Sequence, residues 1–407
     1  MRSSGAPSVT CWREQVKQRR LDRFVALAFA GSMKARPGYD DHDSPVWRRA
    51  LARKLLAWFQ KNARDLPWRR TRDLYAIWIS EIMLQQTQVA TVVPYWERFL
   101  ARFPDVASLA AADEHEVLRH WEGLGYYRRA RQLHAAAKQI VTQHQGRFPR
   151  EFQGVRGLPG IGRYTAGAIL SIGLDQRLPI LEANTIRVLS RLTRYRGEVA
   201  TTAGQRHLWS VAESILPRER CGTFNQALME LGSEICTPRS PQCDRCPVAD
   251  LCAARANNLV SKIPCPPKPM KYQDVTEVAV IVRHRGRVAL RRCQPGERWA
   301  GLWDFPRFAA TSANGFDTIE AQVAPRVHDM IGLHVDEPSH FVTLKHGVTR
   351  FRITLHCYEA KLPCGGQRLR ANGSAGDARW VSIDALNTYP LSVTGRKISR
   401  LLLDRRT

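Results

Sequence analysis

A proline-rich segment divides the chain into two parts whose hydrophobic patterns have different periods. The segment reads Ile-Pro-Cys-Pro-Pro-Lys-Pro over residues 263–269, and proline lacks the amide donor that a helix interior or a central strand needs. Before it, apolar residues recur at spacings of three and four; after it they alternate. The sequence therefore predicts a mainly helical domain over residues 45–255, a linker over 256–273 and an α+β domain over 274–407.

Within these domains the pattern predicts individual elements. The clearest helices are expected at 47–61, 75–88, 126–144 and 163–173 in the first domain, and near 319–331 in the second. Strands are expected at 275–282, 288–292, 341–344, 348–360 and 379–381. Residues 1–44 are predicted to be a basic, weakly structured extension, and Met33 within it is an alternative start.

The charge balance indicates a polyanionic partner. The 407 residues include 62 Lys and Arg against 37 Asp and Glu, which gives a formal net charge of +25. The hydrophobic fraction of 44% excludes a disordered or fibrous chain, and no apolar run approaches the roughly 18 residues of a membrane span. Charge alone leaves nucleic acid and an anionic membrane surface open.

An apolar run near the N-terminus, residues 24–30, is too short and too far from the start for a secretion signal. We therefore expect a protein that is not secreted and works in the cytoplasm, at the nucleoid if the source is bacterial.

Four of the ten cysteines are grouped within seventeen residues. They have the spacing C-x6-C-x2-C-x5-C and are Cys236, Cys243, Cys246 and Cys252. Four thiolates without histidine favour a [4Fe-4S] cluster, while zinc remains the alternative. The other six cysteines are expected to be ordinary thiols, because a long chain with a large core does not need a disulfide framework.

A second motif, residues 155–168, predicts a phosphate site. It contains Leu-Pro-Gly-Ile-Gly, in which Gly160 and Gly162 precede a predicted helix. Glycines let the backbone approach closely, and the amides at a helix N-terminus can face an anion. The motif is similar to a helix-hairpin-helix, which holds a DNA phosphate without reading sequence.

Together the hairpin, the cysteine spacing and several further motifs resemble the endonuclease III superfamily of DNA glycosylases, and within it the MutY-type adenine DNA glycosylases. The motifs are Leu-Pro-Trp-Arg at 66–69, Trp-Ile-Ser-Glu-Ile-Met-Leu-Gln-Gln-Thr-Gln-Val at 78–89, Gly-Leu-Gly-Tyr-Tyr at 123–127 and Phe-Asn-Gln-Ala-Leu at 224–228. This resemblance implies a helix-hairpin-helix glycosylase domain with an iron-sulfur cluster, followed by a nudix-like domain. It also implies a monomer that removes adenine mispaired with 8-oxoguanine or guanine in duplex DNA.

The resemblance also implies catalytic residues. Glu81 matches the acid that protonates adenine, and its apolar surroundings at 77–84 are expected to raise its pKa. Glu182 stands where the family has aspartate beside the sugar, and Asn184 matches a residue that orients this carboxylate or a water. Tyr164 occupies the hairpin position at which bifunctional relatives carry a Schiff-base lysine, which implies a monofunctional enzyme.

Further positions match DNA-binding residues of the family. Arg69 and Gln226 match the wall of the adenine pocket, Gln86 and Tyr126 match intercalating positions, and Thr87 and Leu124 lie in the same motifs. In the second domain, His346 matches the one retained residue of a loop that reads 8-oxoguanine. The carboxylate-rich helix of nudix hydrolases has no counterpart after residues 299–306, so metal-dependent pyrophosphate hydrolysis is not expected.

Two alternatives remain at this point. The first is an endonuclease III-like enzyme that acts on oxidised pyrimidines and cleaves the strand. The second is a mismatch-binding protein with weakened catalysis, because Glu182 is one methylene longer than aspartate and a displacement of roughly 1 Å can cost about a hundredfold in rate.

Overall fold

The computed structural model describes residues 44–265, 270–310, 318–336, 338–363, 369 and 377–405. All but the last residue of the predicted N-terminal extension and most of the proline-rich segment lie outside the described residues.

The first domain is built of helices joined by short turns. In chain order they are α1 (Pro45–Asn62), α2 (Leu74–Leu84), α3 (Val89–Arg102), α4 (Val106–Ala111), α5 (Glu114–Trp121), α6 (Arg128–His144), α7 (Phe152–Arg156), α8 (Arg163–Leu174), α9 (Ala183–Leu192), α10 (Thr202–Ile215), α11 (Cys221–Glu230) and α12 (Ala253–Ala256). Short polar side chains cap several N-termini. Asp73, for example, accepts hydrogen bonds from the amides of Tyr75 and Ala76.

Two hydrophobic cores divide this domain. Helix α2 is buried along nearly its whole length in the first core, where Trp78 and Met83 are fully enclosed. The second core packs α1 against α9, α10 and α11, and includes Leu55 and Phe224. Helix α2 belongs to the first core, and α9 and α11 belong to the second. Residues of α2 therefore line one side of the space between the cores, and residues of α9 and α11 line the other.

The second domain is a mixed sheet between two helices. Its strands are β1 (Gln273–His284), β2 (Arg287–Arg292), β3 (Trp303–Asp304), β4 (Arg307–Ala309), β5 (Ser339–Val348), β6 (Phe351–Lys361) and β7 (Ala378–Ser382), and its helices are α13 (Ile319–Ile331) and α14 (Val393–Asp404). The order is β3-β2-β1-β6-β5, with β4 also on β1 and β7 also on β2. Only the β1–β6 pairing is parallel among the described strands.

The two-residue period of β1 determines which helix covers each face of the sheet. Val278 and Val280 share a core with α13, whereas Ala279 and Ile281 share a core with α14. This alternation is the pattern of a sheet covered on both faces. The predicted fold class, a mainly helical domain followed by an α+β domain, is confirmed.

Several predicted element bounds are wrong, and these errors fall at tight turns. The helix predicted at 75–88 ends at Leu84, because Gln86 has a φ of 58°. The helix predicted at 126–144 begins at Arg128, after Tyr126 with a φ of 48°. The strands predicted at 341–344 and 348–360 are observed at Ser339–Val348 and Phe351–Lys361, and the turn between them contains Thr349, which has a φ of 54°. Left-handed residues of this kind leave little signal in hydrophobic periodicity.

No helix in the described part of the chain is long and apolar enough to cross a membrane.

The close packing of α11 on α8 generates a stability prediction. A Cβ added at Gly222 would lie 2.1 Å from the carbonyl oxygen of Ser171. We expect Gly222→Ala to lower the free energy of unfolding by about 2–3 kcal/mol, because backbone atoms must move apart. Urea unfolding followed by circular dichroism measures this loss as a lower midpoint at constant slope.

Gly162→Ala is the matched control, because its added Cβ meets no atom within 4 Å. It should change the free energy of unfolding by no more than about 1 kcal/mol. Equal stability of the two variants would contradict the packing described for Gly222.

Candidate active site

A cavity of about 190 Å³ lies between the two cores of the helical domain. It brings together residues that are far apart in the sequence. Of the predicted site residues, its wall includes Arg69, Glu81, Thr87, Tyr164, Glu182, Asn184 and Gln226.

Glu81 projects from α2 into this cavity and is only 5% exposed. Burial raises the pKa of its carboxyl to about 7, and the nearby charge of Glu182 adds to the rise. The hydroxyl of Tyr164 donates a 2.7 Å hydrogen bond to Glu81 Oε2, which opposes the rise without cancelling it. A substantial fraction of Glu81 is therefore protonated near neutral pH.

Tyr164 lies in the first turn of α8 and contacts both Glu81 and Met229 Sδ. Burial and the neighbouring carboxylates raise the pKa of its hydroxyl well above the usual value. The group is thus a neutral hydrogen-bond donor at physiological pH. None of the described residues that line the cavity is a lysine.

Glu182 is the N-cap of α9, and both of its carboxylate oxygens are hydrogen-bonded to backbone. Oε2 accepts from the Asn184 amide and Oε1 from the Thr185 amide, each at 2.8 Å. Burial raises the pKa of Glu182, while the two amides oppose that rise. The longer side chain therefore folds back on the start of its own helix, and it still lines the same cavity as Glu81.

Asn184 is held by a buried arginine that also contacts the cysteine-rich loop. Arg187 Nη2 donates to Asn184 Oδ1 at 2.9 Å and to the Gly232 carbonyl at 2.7 Å, while Nε donates to the Cys236 carbonyl at 2.6 Å. A Cβ at Gly232 would lie 2.6 Å from Asn184 Cβ, so glycine permits this close approach. One side chain thus links the cavity wall to the first cysteine of the cluster motif.

Glu230 is a buried anion in the cavity wall that no sequence motif indicated. Its carboxylate accepts hydrogen bonds from Arg64 and Arg69, at 2.7 and 2.8 Å for the two Nη2 atoms. Although burial opposes ionisation, these arginines hold the pKa of Glu230 at about 2. Glu230 thereby fixes the predicted pocket residue Arg69, and it lies two residues beyond the predicted 224–228 motif.

Gln86 and Tyr126, the predicted intercalating residues, lie on two adjacent exposed turns. Arg129 joins these turns: its Nη1 donates to the carbonyls of Met83 and Gln85, and its Nη2 donates to the Leu124 carbonyl at 3.1 Å. This guanidinium is buried against carbonyls, and burial lowers its pKa to about 10. The sequence does not reveal this role, because Arg129 resembles other arginines on an amphipathic helix.

The prediction for Leu124 needs correction. Its side chain is buried in the first hydrophobic core, so it is not at the surface where a side chain could contact DNA. Tyr126, in contrast, is 51% exposed.

The hairpin motif forms a tight turn before α8. Gly160 has a φ of 79°, and a Cβ there would lie 2.8 Å from Gln132 Cβ. Gly162 is the N-cap of α8 and is exposed with open space around its Cα. The turn therefore offers exposed backbone at the N-terminus of a twelve-residue helix, which is a suitable place for a phosphate.

The four clustered cysteines line one small apolar cavity. Within the described residues, no three Cys, His, Asp or Glu side chains converge closely enough to hold a single metal ion. The four residues instead line a shared space, Arg191 Nη1 lies 3.2 Å from Cys236 Sγ, and the Cys252 thiol donates to the Arg191 carbonyl at 3.5 Å. Burial raises the pKa of the Cys246 thiol to about 12, a cost that cationic iron would offset. This all-sulfur donor set fits an iron-sulfur cluster.

His346 lies apart from Glu81, in a second cavity of about 420 Å³ between the domains. Tyr126, Arg298 and Trp299 also line this cavity. Burial and the adjacent Arg307 lower the pKa of His346 to about 4, so the ring is neutral at physiological pH. The second cavity is therefore separate from the first. Tyr126, which lies on one of the two exposed turns, forms part of its wall.

Three known families match the chain. Residues 79–214 match the HhH-GPD superfamily of base excision DNA repair proteins, and residues 236–252 match the iron-sulfur binding domain of endonuclease III. Residues 277–401 match the NUDIX domain. These matches confirm the predicted architecture and the predicted cluster motif, and they favour iron-sulfur over zinc.

Several relatives carry the name adenine DNA glycosylase. The protein from Rattus norvegicus is 40% identical over 273 residues, which cover 64% of this chain and 52% of the relative. The protein from Arabidopsis thaliana is 32% identical over 401 residues, covering 84% and 63%. The match thus spans about half the length of the rat relative.

A shorter relative is matched over most of its length. The adenine DNA glycosylase of Buchnera aphidicola subsp. Schizaphis graminum (strain Sg) is 39% identical over 255 residues, which cover 62% of this chain and 74% of the relative. On this evidence the chain belongs to the adenine DNA glycosylase family.

Proposed function

We propose that this protein is a base excision repair enzyme that hydrolyses the N-glycosidic bond of adenine mispaired with 8-oxoguanine or guanine in duplex DNA. The observation that carries the proposal is the pairing of two carboxyl groups in one cavity, in which burial raises the pKa of Glu81 to about 7. Hydrolysis of this bond needs an acid for the leaving base and a negative charge near the sugar.

In the proposed reaction Glu81 donates its proton to adenine N7, which makes the base a better leaving group. The C1′–N9 bond breaks, and the Glu182 carboxylate stabilises the cationic sugar. A water then adds through its oxygen to C1′ and releases a proton, which restores the protonated Glu81. Tyr164 orients the Glu81 carboxyl through its 2.7 Å hydrogen bond.

Glu182 is proposed to serve as the ionised partner despite its extra methylene. Its two amide hydrogen bonds favour the charged form and fix the carboxylate against rotation. A preorganised carboxylate supports an active enzyme rather than a binding protein with weakened catalysis.

The absence of lysine among the described cavity residues supports a monofunctional enzyme. A Schiff base with the sugar requires a primary amine, and the Tyr164 hydroxyl cannot form one. The product is therefore free adenine and an intact strand with an abasic site. This outcome also distinguishes the proposal from endonuclease III-like cleavage at oxidised pyrimidines.

Duplex DNA is proposed to lie across the hairpin and the exposed turns. The net charge of +25 supplies a sequence-independent attraction to phosphates. The amides near Gly160 and Gly162 would contact the backbone of the adenine strand. Gln86 and Tyr126 would fill the space left when adenine turns out of the helix into the cavity beside Arg69 and Gln226.

The opposite base is proposed to be read at the second cavity. His346 and Tyr126 both line it, so a base facing the extruded adenine could contact the two domains together. Every residue that this scheme uses lies in one chain, which supports action as a monomer. A substrate within chromosomal DNA places the enzyme at the nucleoid if the source is bacterial.

A [4Fe-4S] cluster is proposed to be held by Cys236, Cys243, Cys246 and Cys252. When bound, it supplies iron-thiolate bonds that cross-link this loop. Because Arg187 donates to both the Cys236 carbonyl and Asn184 Oδ1, it would then hold Asn184 in a fixed position relative to the cluster loop.

Single-turnover excision tests the proposed activity. Wild-type protein should release adenine from duplexes with adenine opposite 8-oxoguanine or guanine, and Glu81→Gln should slow release by about a hundredfold or more, because it cannot supply the proton. Treatment of the product with base reveals abasic sites. No release of adenine from either duplex would contradict the proposed glycosylase activity. Strand cleavage without added base would contradict a monofunctional reaction.

The pH dependence of the same rate tests the state of Glu81. Its pKa is raised to about 7, so the protonated form is present below that pH and is lost above it. At subsaturating protein, where the rate reports ionisations of the free protein, it should fall about tenfold per pH unit above about 7, and it should decline on the acid side only where Glu182 becomes protonated. A rate that rises through this range would contradict an acid role for Glu81.

Removal of one cysteine tests the cofactor. Cys246→Ser should lose the visible absorption of the cluster and most of its iron, about four atoms per chain. Cys265→Ser is the control, because this exposed thiol lies outside the cluster motif. Equal iron contents in the two variants, measured by a chromogenic chelator, would show that Cys246 is not a ligand.

A further inference from the structure

The second domain contacts both ends of the turn that presents Tyr126. It runs from Glu122, at the end of α5, to Tyr127, at the start of α6. Glu122 Oε2 accepts a 3.4 Å hydrogen bond from the Leu391 amide, and the Tyr127 hydroxyl donates to the Leu391 carbonyl at 3.3 Å. A single residue of the second domain therefore contacts both ends of the turn.

The strongest of these contacts is a bidentate ion pair between Glu122 and Arg396. Arg396 Nε lies 2.5 Å from Glu122 Oε1, and Nη2 lies 2.9 Å from Oε2. Each side chain is only 16% exposed. Arg396 also donates to the carbonyls of Leu386 and Tyr389, so its position is fixed within the second domain. A planar, shielded pair of this kind defines orientation as well as distance.

The backbone between these anchors is left-handed and depends on them. Gly123, Gly125 and Tyr126 have φ values of 103°, 69° and 48°. Tyr95 donates a 2.7 Å hydrogen bond to the Glu122 carbonyl, and a Cβ at Gly123 would lie 2.1 Å from the Tyr95 hydroxyl oxygen. A left-handed conformation at tyrosine is unfavourable by itself, so the surrounding contacts must maintain it.

The same turn is joined to the end of the helix that carries Glu81. Arg129 donates to the carbonyls of Leu124 and Gly125 on one side, and to the Thr87 hydroxyl on the other. A continuous set of polar contacts therefore runs from Arg396 to Glu122, along the turn to Arg129, and on to the turn after α2. The cavity that reads the opposite base and the cavity that holds Glu81 are connected by it.

We propose that Glu122 and Arg396 are positioning residues through which the second domain holds the Tyr126 turn in the conformation needed to extrude adenine. The inference rests on the proposed function, because extrusion is a step of that reaction. According to this proposal, the second domain assists extrusion of adenine in addition to contacting the opposite base. Loss of the pair should slow extrusion from a paired site and leave the chemistry at an already unpaired adenine unchanged.

Two duplexes of the same sequence separate these effects. In one, adenine faces 8-oxoguanine; in the other, it faces an abasic analogue and needs no unpairing. For Glu122→Gln at saturating enzyme, we expect single-turnover excision from the first duplex to fall by about tenfold or more and from the second by about twofold or less. Arg396→Lys, which keeps the charge but loses the bidentate geometry, should show the same selective loss in smaller degree.

Glu116→Gln is the matched control. Glu116 lies on α5 and forms a similar bidentate pair with Arg102, at 2.5 and 2.7 Å, but within the helical domain. It should leave excision from both duplexes unchanged. Fluorescence of 2-aminopurine beside the target adenine, measured in a Glu81→Gln background, reports extrusion without chemistry and should decrease only when the Glu122 pair is broken.

Selective loss on the paired duplex supports the proposal. Equal loss on both duplexes, which a merely structural role would give, or no loss on either would overturn it. Failure of the wild-type protein to release adenine from either duplex would instead refute the proposed function. If Glu122→Gln does not fold, Arg396→Lys provides the same comparison.

Discussion

Burial of Glu81 in the cavity between the two helical cores is the constraint on which the rest of the site depends. A carboxyl group in water is ionised near neutral pH and cannot act as an acid, so the fold must remove water from it. Helix α2 does this by burying almost every residue around Glu81, including Trp78 and Met83. The same burial disfavours a negative charge on the nearby Glu182. The Asn184 and Thr185 amides offset this cost by donating hydrogen bonds to both of its carboxylate oxygens. Two neighbouring acids can thus hold different protonation states.

The rest of the helical domain holds the walls of this cavity in place through buried and partly buried arginines. Arg187 connects Asn184 to the cysteine-rich loop, Arg64 and Arg69 neutralise Glu230, and Arg129 joins the two exposed turns. Each guanidinium has several donors in one plane, so it can tie backbone segments that side chains with one donor could not. These arginines therefore have structural partners within the domain, although their charges still contribute to the net charge of +25.

The sequence predicts the parts of this arrangement that rest on local patterns. Alternation of apolar residues located β1 and its neighbours, and the apolar run around Glu81 indicated a raised pKa. Contacts between distant residues were not predictable in this way. Glu230 lies 166 positions from Arg64 in the chain, and nothing near either residue indicates the pairing. The early end of α2 at Leu84 and the burial of Leu124 depend on left-handed turns and on Arg129. Most partners of Arg129 are backbone carbonyls, which every residue has, so the sequence does not indicate them. The capping of α9 by Glu182 also escaped prediction, because glutamate is not a preferred N-cap residue.

The protonation state of Glu81 in the free protein is the most direct test of the central claim. Infrared difference spectroscopy follows the carbonyl stretch of a protonated carboxyl during a pH titration, and subtraction of the Glu81→Gln titration isolates the contribution of this residue. A carbonyl band that disappears with a midpoint of about 7 is the predicted result. A midpoint close to the ordinary glutamate value of about 4.3 would contradict the claim, because Glu81 would then be ionised at neutral pH and could not serve as the acid.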